Sequence, residues 1–347
     1  MNILGIMSGT SMDGLDFAVC SFEEKKGLWS YRFLYTETVP YDKSWTGKLH
    51  SAPHLSGLDL QILDMEYGQF IASQALSVIG SSGIETALIA SHGHTVFHQP
   101  DASFTCQIGN PQVIASETGI RTIGDFRRLD MLYGGQGAPL VPIGDELLFG
   151  QYDYCLNLGG FANISFNKDS ARLARDVCPV NTALNHFARD LELPFDHDGK
   201  AGRSGNLSTP LFDHLNGISY YGSEGPGSLA REWLESELLP HIHEFRLPVT
   251  DILRTLYEHI SFQISRQIKP RSKVLVTGGG AYNKFLIETL THHSQSEIVI
   301  PLPELVEFKE ALVFAFMGLL RLREEINCYA SVTGADRDSC CGVLCLP

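Results

Sequence analysis

Two places in the chain constrain its fold most, because each sets a glycine-rich turn between two apolar, β-compatible runs. Residues 2–7 read NILGIM; the turn SGTSMDG follows, and residues 15–22 then read LDFAVCSF. An apolar run, a turn of Gly, Ser and Thr, and a second apolar run make the pattern of a β-hairpin. The same order returns from Tyr154, where YCLNL, the pair Gly159 and Gly160, and FANISF follow one another. Two such units point to two related α/β domains, each offering a turn at which main chain can approach a ligand closely.

The segments around these turns extend the α/β pattern. Strands are expected over residues 87–91, 104–108 and 121–124, and residues 58–79 carry apolar positions at helical spacing. Later come helical patterns over 182–191, 228–238 and 251–268, the strand-like VLVTGGG, and a helix after Asn283. The stretch GGQGAPLVP at residues 134–142 is rich in Gly and Pro and reads as a domain boundary or a shaped loop. The expected division is a first domain over 1–135, completed by 313–347, and a second over 136–312.

Composition narrows the function classes. With 44% hydrophobic and 19% charged residues, the 347-residue chain can bury two substantial cores. A formal net charge of −14 disfavours a broad footprint on nucleic acid or an anionic membrane, so neither is an expected partner and any phosphate must be held locally. The start shows neither a basic leader nor an extended apolar region, and the longest apolar stretch, 311–320, is too short for a bilayer and reads as a buried helix. Eight cysteines without a signal peptide suggest reduced thiols and a cytoplasmic protein. Cys340, Cys341 and Cys345 lack a partnering CxxC pair and give little support to a zinc site.

Several residues carry candidate chemistry. Gly9, Thr10 and Ser11 form either an ordinary polar hairpin or a phosphate cradle of N–H groups and hydroxyls. The neighbouring Asp13, Gly14 and Asp16 strengthen the second reading, since Asp13 can hold Mg²⁺ through its water shell. No GxxxxGK[ST] segment is present, which excludes a Walker-A site. Gly278, Gly279 and Gly280, between a strand and the helix containing Asn283, suit either a structural turn or an adenosine site. His92, His94 and His98 alternate as on one strand face; without a nearby acidic or thiol ligand, sugar contact and cleft support, with Thr95, are favoured over metal binding. Arg127, Asp130 and Asp125 suit a sugar carboxylate or a structural ion pair.

Taken together and in order, MSGTSMDGLD, SHGHTVFH, GDFRRLD, GGQGAPLVP, NLGGFANIS, VTGGGAYN, EALVFAF and SVTGA resemble the signature segments of the anhydro-N-acetylmuramic acid kinases. The resemblance runs from Met7 to Ala335. It implies a two-domain actin-like ATPase (ribonuclease H-like) fold with ATP in the interdomain cleft, a small amino-sugar substrate, and a homodimer. By this similarity Gly9, Thr10, Ser11, Met12, Asp13, Gly14, Leu15 and Asp16 form the first phosphate loop and Gly159, Gly160 and Asn163 the second. Gly278, Gly279, Gly280 and Asn283 line the adenosine side. Sugar contacts fall to His94, Thr95, Arg127, Asp130, Gln136, Asn181 and Glu310. The implied reaction, part of peptidoglycan recycling, hydrolyses the 1,6-anhydro bond and phosphorylates O6 from ATP.

The family's Asp-Thr-Gly-Pro-Gly-Asn segment, which carries its catalytic aspartate, reads here Asp176-Val177-Cys178-Pro179-Val180-Asn181. Asp176 is therefore the expected general base. If the replaced glycines need positive φ, Val180 would be strained. An acidic residue of the family is also replaced by Phe308. These departures leave two alternatives: a catalytically impaired nucleotide-binding regulator, or a kinase for a different sugar.

Overall fold

The computed structural model describes residues 1–9, 12–222, 229 and 231–347. The chain packs as two units, one of Met1–Leu148 with Phe308–Pro347 and one of Phe149–Glu307.

In the first unit, β1 (Asn2–Ser8) pairs antiparallel with β2 (Gly14–Lys25), in a register that runs from Asn2 opposite Ser21 to Ser8 opposite Leu15. The expected hairpin is thus present. It continues into β3 (Leu28–Pro40), antiparallel to β2, a long edge strand that apolar patterning does not reveal. On its other side β1 runs parallel to β4 (Leu88–Ser91). A separate ribbon of β5 (His94–Gln99) and β6 (Phe104–Ile108) follows. Then β7 (Thr122–Gly124) pairs parallel with β4 and, at its other edge, antiparallel with the last strand of the chain, Val343–Cys345. The sheet order is therefore β3-β2-β1-β4-β7 with that last strand outermost.

The second unit repeats this arrangement. β8 (Tyr154–Leu158), β9 (Phe161–Lys168) and β10 (Ala171–Pro179) form an antiparallel meander; β11 (Lys273–Thr277) lies parallel to β8, and β12 (Glu297–Val299) parallel to β11. Its order, β10-β9-β8-β11-β12, matches the third-second-first-fourth-fifth sequence of the first unit. This duplicated mixed sheet is the fold that the resemblance implies. Each sheet buries apolar side chains under helices. In the first unit, Leu4, Ile6, Phe17 and Val19 meet Tyr67, Ile71 and Ala75 of the helix Gly57–Ser82. In the second, Leu156, Leu158 and Ile164 meet Leu253, Leu256 and Ile260 of the helix Val249–Ser265.

Residues 134–142, expected at the boundary, lie inside the first unit. Three hydrogen bonds fasten them there: Gly135 N donates to Asp130 O (3.0 Å), Gln136 N to Thr333 O (2.9 Å) and Gly137 N to Asp130 Oδ2 (2.8 Å). The apolar stretch 311–320 is the buried part of the helix Pro303–Leu322. Among the described residues no helix is long and apolar enough to cross a membrane.

That helix lies against the sheet because two glycines allow it. A Cβ at Gly5 would overlap the Ala311 carbonyl, and one at Gly318 would come within 2.7 Å of the Ala90 Cβ. Gly5→Ala should therefore destabilise the chain by about 3 kcal/mol through overpacking. Urea denaturation checks this: an unchanged midpoint would mean that the helix and sheet are not in this contact.

Candidate active site

The turn after β1 departs from a network of buried hydroxyls. Ser8 Oγ lies 2.8 Å from the Tyr41 hydroxyl and 3.1 Å from His94 Nδ1, and Tyr67 donates its hydroxyl to the same oxygen at 2.9 Å. His94 is thus turned into the protein, and burial pulls its ring down to about 4, so it is neutral at physiological pH. Beyond Ser8, Met12 has a left-handed φ of 55°, and Tyr41 N donates to Asp13 O at 3.2 Å. Asp13 is exposed and Asp16 half-buried, with Asp16 Oδ1 accepting from Thr38 Oγ1 at 2.6 Å. Burial raises the Tyr41 hydroxyl, its bonds to Ser8 and Tyr67 oppose this, and the negative charges of Asp13 and Asp16 raise it further. Both carboxylates therefore act on one region beside the turn.

Leu15, expected within a phosphate loop, is fully buried in the first core and offers a ligand only its main chain. Gly9, Met12, Asp13, Gly14 and Asp16 flank the turn. Thr10 and Ser11 lie outside the described residues.

A second group in the first unit surrounds Arg127. Its Nε and Nη2 donate to His92 Nε2 at 3.1 and 2.8 Å, and Nη1 donates to Gly137 O at 2.7 Å. His92 Nδ1 in turn donates to Gly93 O at 2.8 Å, which fixes its tautomer. Burial pulls Arg127 down to about 10, against the opposing charges of Glu310 and Cys328, so the guanidinium stays positive. Burial raises the Glu310 carboxyl while Arg127 and Lys309 hold it down and Asp16 pushes it up. Arg127, Glu310 and Asp16 thus share one electrostatic neighbourhood.

Asp130, expected to face a sugar, is fully buried. Oδ2 accepts from Gly137 N, and Oδ1 accepts from Thr333 Oγ1 (2.7 Å) and Cys328 Sγ (3.3 Å). Oδ2 is thus committed to the loop that carries the exposed Gln136, and Oδ1 to the C-terminal segment. Asp125 pairs with Arg128 Nη1 at 3.1 Å rather than with Arg127. Thr95 is half-buried, and its Oγ1 accepts from Gln107 Nε2 at 3.3 Å.

The second unit presents Asp176 near the end of β10, where the ladder with β9 shifts register between Asp176 and Cys178. Beside the bulge the half-buried carboxylate meets two donors and the main-chain oxygen a third. Asn163 Nδ2 donates to Oδ1, Leu229 N donates to Oδ2 at 2.8 Å, and the Tyr220 hydroxyl donates to the main-chain oxygen at 2.7 Å. Burial raises the Asp176 carboxyl, and the bonds from Leu229 and Asn163 and the Arg175 charge only partly offset it. A partly desolvated carboxylate with a raised affinity for protons is equipped as a general base. Asn163, expected on a phosphate, is thus engaged with Asp176.

The second unit also holds a cavity of about 400 Å³ whose walls include Asn181, Gly279, Asn283, Phe195, His197 and Tyr282. Its floor is set by Asn283, whose Nδ2 donates to the Tyr257 hydroxyl (2.8 Å) and whose Oδ1 caps the helix Lys284–Ser294 by accepting from Leu286 N (3.1 Å). Gly278 has φ of 81°, and a Cβ there would crowd Asn157 Oδ1 at 2.5 Å, so this turn requires glycine. Gly280 is likewise pressed on Leu158. The carbonyls of Gly159 and Gly160 accept from Asn181 N (3.3 Å) and Val180 N (2.8 Å), which ties the β8–β9 turn to the helix Asn181–Ala188. Asn181, expected at a sugar, therefore sits with the glycine turn and Asn283. The sequence reading does not single out Phe195, His197 and Tyr282; His197 and Tyr282 lie in 3-10 turns too short to carry a periodic pattern.

The sequence model for anhydro-N-acetylmuramic acid kinase matches residues 1–347. The chain belongs to that family. An anhydro-N-acetylmuramic acid kinase of Vibrio cholerae is 32% identical over 370 residues, covering 99% of this chain and 98% of the relative. One of Saccharophagus degradans is 31% identical over 377 residues, covering 99% and 98%. Among solved structures, Acidaminococcus fermentans (R)-2-hydroxyglutaryl-CoA dehydratase component A aligns at 13% identity with a TM-score of 0.48, covering 92% of this chain and 97% of that one.

Within the anhydro-N-acetylmuramic acid kinase family the substitutions after Asp176 have a plain structural account. Val177, Cys178 and Val180 are all buried in the second core beside Ala183 and Leu184. Val180 has φ of −121°, so the expected positive-φ strain does not arise. The Cys178 thiol and the two valines are packed in the core. Phe308 is also buried and adopts non-helical φ and ψ of −106° and 15° inside the helix Pro303–Leu322.

The donors on Asp176 set the sign of a pH prediction. Burial favours the neutral acid and hydrogen bonds favour the anion, so removing a donor must raise the pKa further. Carboxyl-carbon NMR should place Asp176 above the ordinary 3.8, and Asn163→Ala should move it higher still. A value unchanged or lowered by the substitution would contradict this account.

Proposed function

We propose that this chain is an ATP-dependent kinase that hydrolytically opens 1,6-anhydro-N-acetylmuramic acid and phosphorylates O6. The products are N-acetylmuramic acid 6-phosphate and ADP, and the setting is cytoplasmic recycling of peptidoglycan. The observation that carries this reading is Asp176: half-buried, raised in proton affinity and fixed by three donors, in a chain whose full length matches the family.

The chemistry balances around that side chain. Asp176 takes a proton from water as the water oxygen bonds to the anomeric carbon C1. The C1–O6 bond breaks, O6 bonds to the γ-phosphorus of ATP, and ADP leaves with the electron pair of the broken phosphoanhydride bond. Transfer to O6 thus replaces protonation of the leaving oxygen. Glu310, Thr95 and the exposed Gln136 bind and orient the sugar, and Arg127, its fork held by His92 and Gly137, lends its positive charge to that side of the site. Asp130 positions Gln136 without touching substrate.

The pocket lined by Phe195, His197 and Tyr282 suits a planar heterocycle, with Gly279 and Asn181 allowing close approach. The adenosine of ATP is its assigned occupant, and the turns at Gly9 and Gly159 take the phosphates. The all-oxygen set of Asp13 and Asp16 fits Mg²⁺, a hard ion that keeps much of its water. Mg²⁺ would neutralise charge on the β- and γ-phosphates. Asp13 would hold the ion through its water shell, while the bond from Thr38 keeps Asp16 oriented.

Asp176→Asn removes the proton acceptor while keeping the shape. It should lower kcat by about 10²- to 10⁴-fold with ATP affinity nearly unchanged, read by coupled ADP release and by calorimetry with ATP. Turnover close to that of the unaltered chain would exclude Asp176 as the base.

A further inference from the structure

We infer that His214, His241 and Glu244 form a site for a divalent transition metal of the zinc class on the second unit. These are the only three or more His, Cys, Asp or Glu side chains among the described residues whose ligand atoms cluster, lying within 4.8 Å of one another. His214 comes from the helix Thr209–Asn216, and His241 and Glu244 from the end of the helix Leu239–His243 and the residue after it. Their sequence separation hides the grouping.

The geometry is that of a metal site. His214 Nε2 lies 2.9 Å from His241 Nδ1. Zinc–nitrogen bonds of about 2.0–2.1 Å at tetrahedral angles place two ligand nitrogens about 3.3 Å apart, so the pair needs only a small opening to accept the ion. Glu244 is exposed and free to swing its carboxylate inward. His214 and His241 both occupy the last turn of their helices, the end whose partial negative charge favours a cation. Two imidazoles and one carboxylate select zinc, nickel or copper over Mg²⁺ and Ca²⁺, which prefer oxygen alone. The ion of the phosphate-transfer step is therefore a poor competitor.

The position gives the ion a consequence. The chain leaves the first of these helices at Asn216 and re-enters the second at Leu239, and between them it supplies Tyr220 and Leu229. Those residues donate to the main-chain oxygen and Oδ2 of Asp176. A metal bound by His214, His241 and Glu244 ties together the two ends of the segment that holds Asp176. It acts as a structural clamp and takes no part in the reaction.

Zinc titration of the chelator-treated, nucleotide-free full chain tests this by calorimetry, with cobalt(II) as a spectroscopic probe. One saturable equivalent is expected, with visible cobalt absorption typical of low coordination number and no thiolate-to-cobalt charge-transfer band. His214→Ala and His241→Ala should each weaken zinc by at least ~100-fold, beyond what loss of an outer-shell partner causes. Glu244→Ala, at an exposed position that leaves the cores intact, should weaken it by at least ~10-fold, and His54→Ala should not. Zinc should also raise the thermal midpoint of the unaltered chain and not that of His241→Ala. No saturable binding, binding by the His214 and His241 variants as tight as by the unaltered chain, or a cobalt–thiolate band would overturn the site.

Discussion

The structure turns on a balance at one carboxylate. Burial at the end of β10 makes Asp176 a better proton acceptor than a solvated aspartate, while donors from Asn163 and Leu229 keep the anion accessible. The burial favours the neutral acid and the donors favour the anion, so the two together set how readily Asp176 takes a proton. The bulge in the ladder falls just after Asp176, whose neighbours Val177 and Cys178 lie in the core.

Everything that supports this balance follows from the repeated sheet. In each unit the first two strands form a hairpin whose turn brings main chain to a surface, and the fourth strand lies parallel beside the first. In the second unit that neighbour, β11, ends at Gly278, where positive φ and the crowding of Asn157 demand glycine. In the first, the turn is underpinned by Ser8, Tyr41, Tyr67 and His94, a hydrogen-bonded set that spends the histidine on positioning. Rigid elements below and irregular segments above recur in both units.

Much of this was legible in the sequence because the informative residues were local. Both hairpins, the strand before Gly278, the helix Gly57–Ser82 and the buried stretch 311–320 declared themselves through runs and spacing. β3 did not, because it is an edge strand that buries little and so carries no clean alternation. β10 was hidden by the charges in ARLARDVCP, and with it the fact that Asp176 stands on a strand. The long-range pairings were invisible for a different reason. His92 with Arg127, Asp130 with Thr333, and Asn163 with Asp176 depend on which elements the fold brings together. Asp130 and His94 are consequently buried and hydrogen-bonded within the first unit, and Val180, read as a source of strain, lies in the second core.

The central claim is that water adds to C1 as O6 departs onto phosphorus, with Asp176 receiving the proton. The most direct measurement is mass spectrometry of the sugar product from Mg·ATP, the anhydro sugar and heavy-oxygen water, quenched within the first turnovers before anomeric exchange. The account predicts an opened sugar phosphomonoester carrying one solvent oxygen on C1 and none in the phosphoryl group. A phosphorylated sugar with its anhydro ring intact, or solvent oxygen in the phosphoryl group, would contradict it.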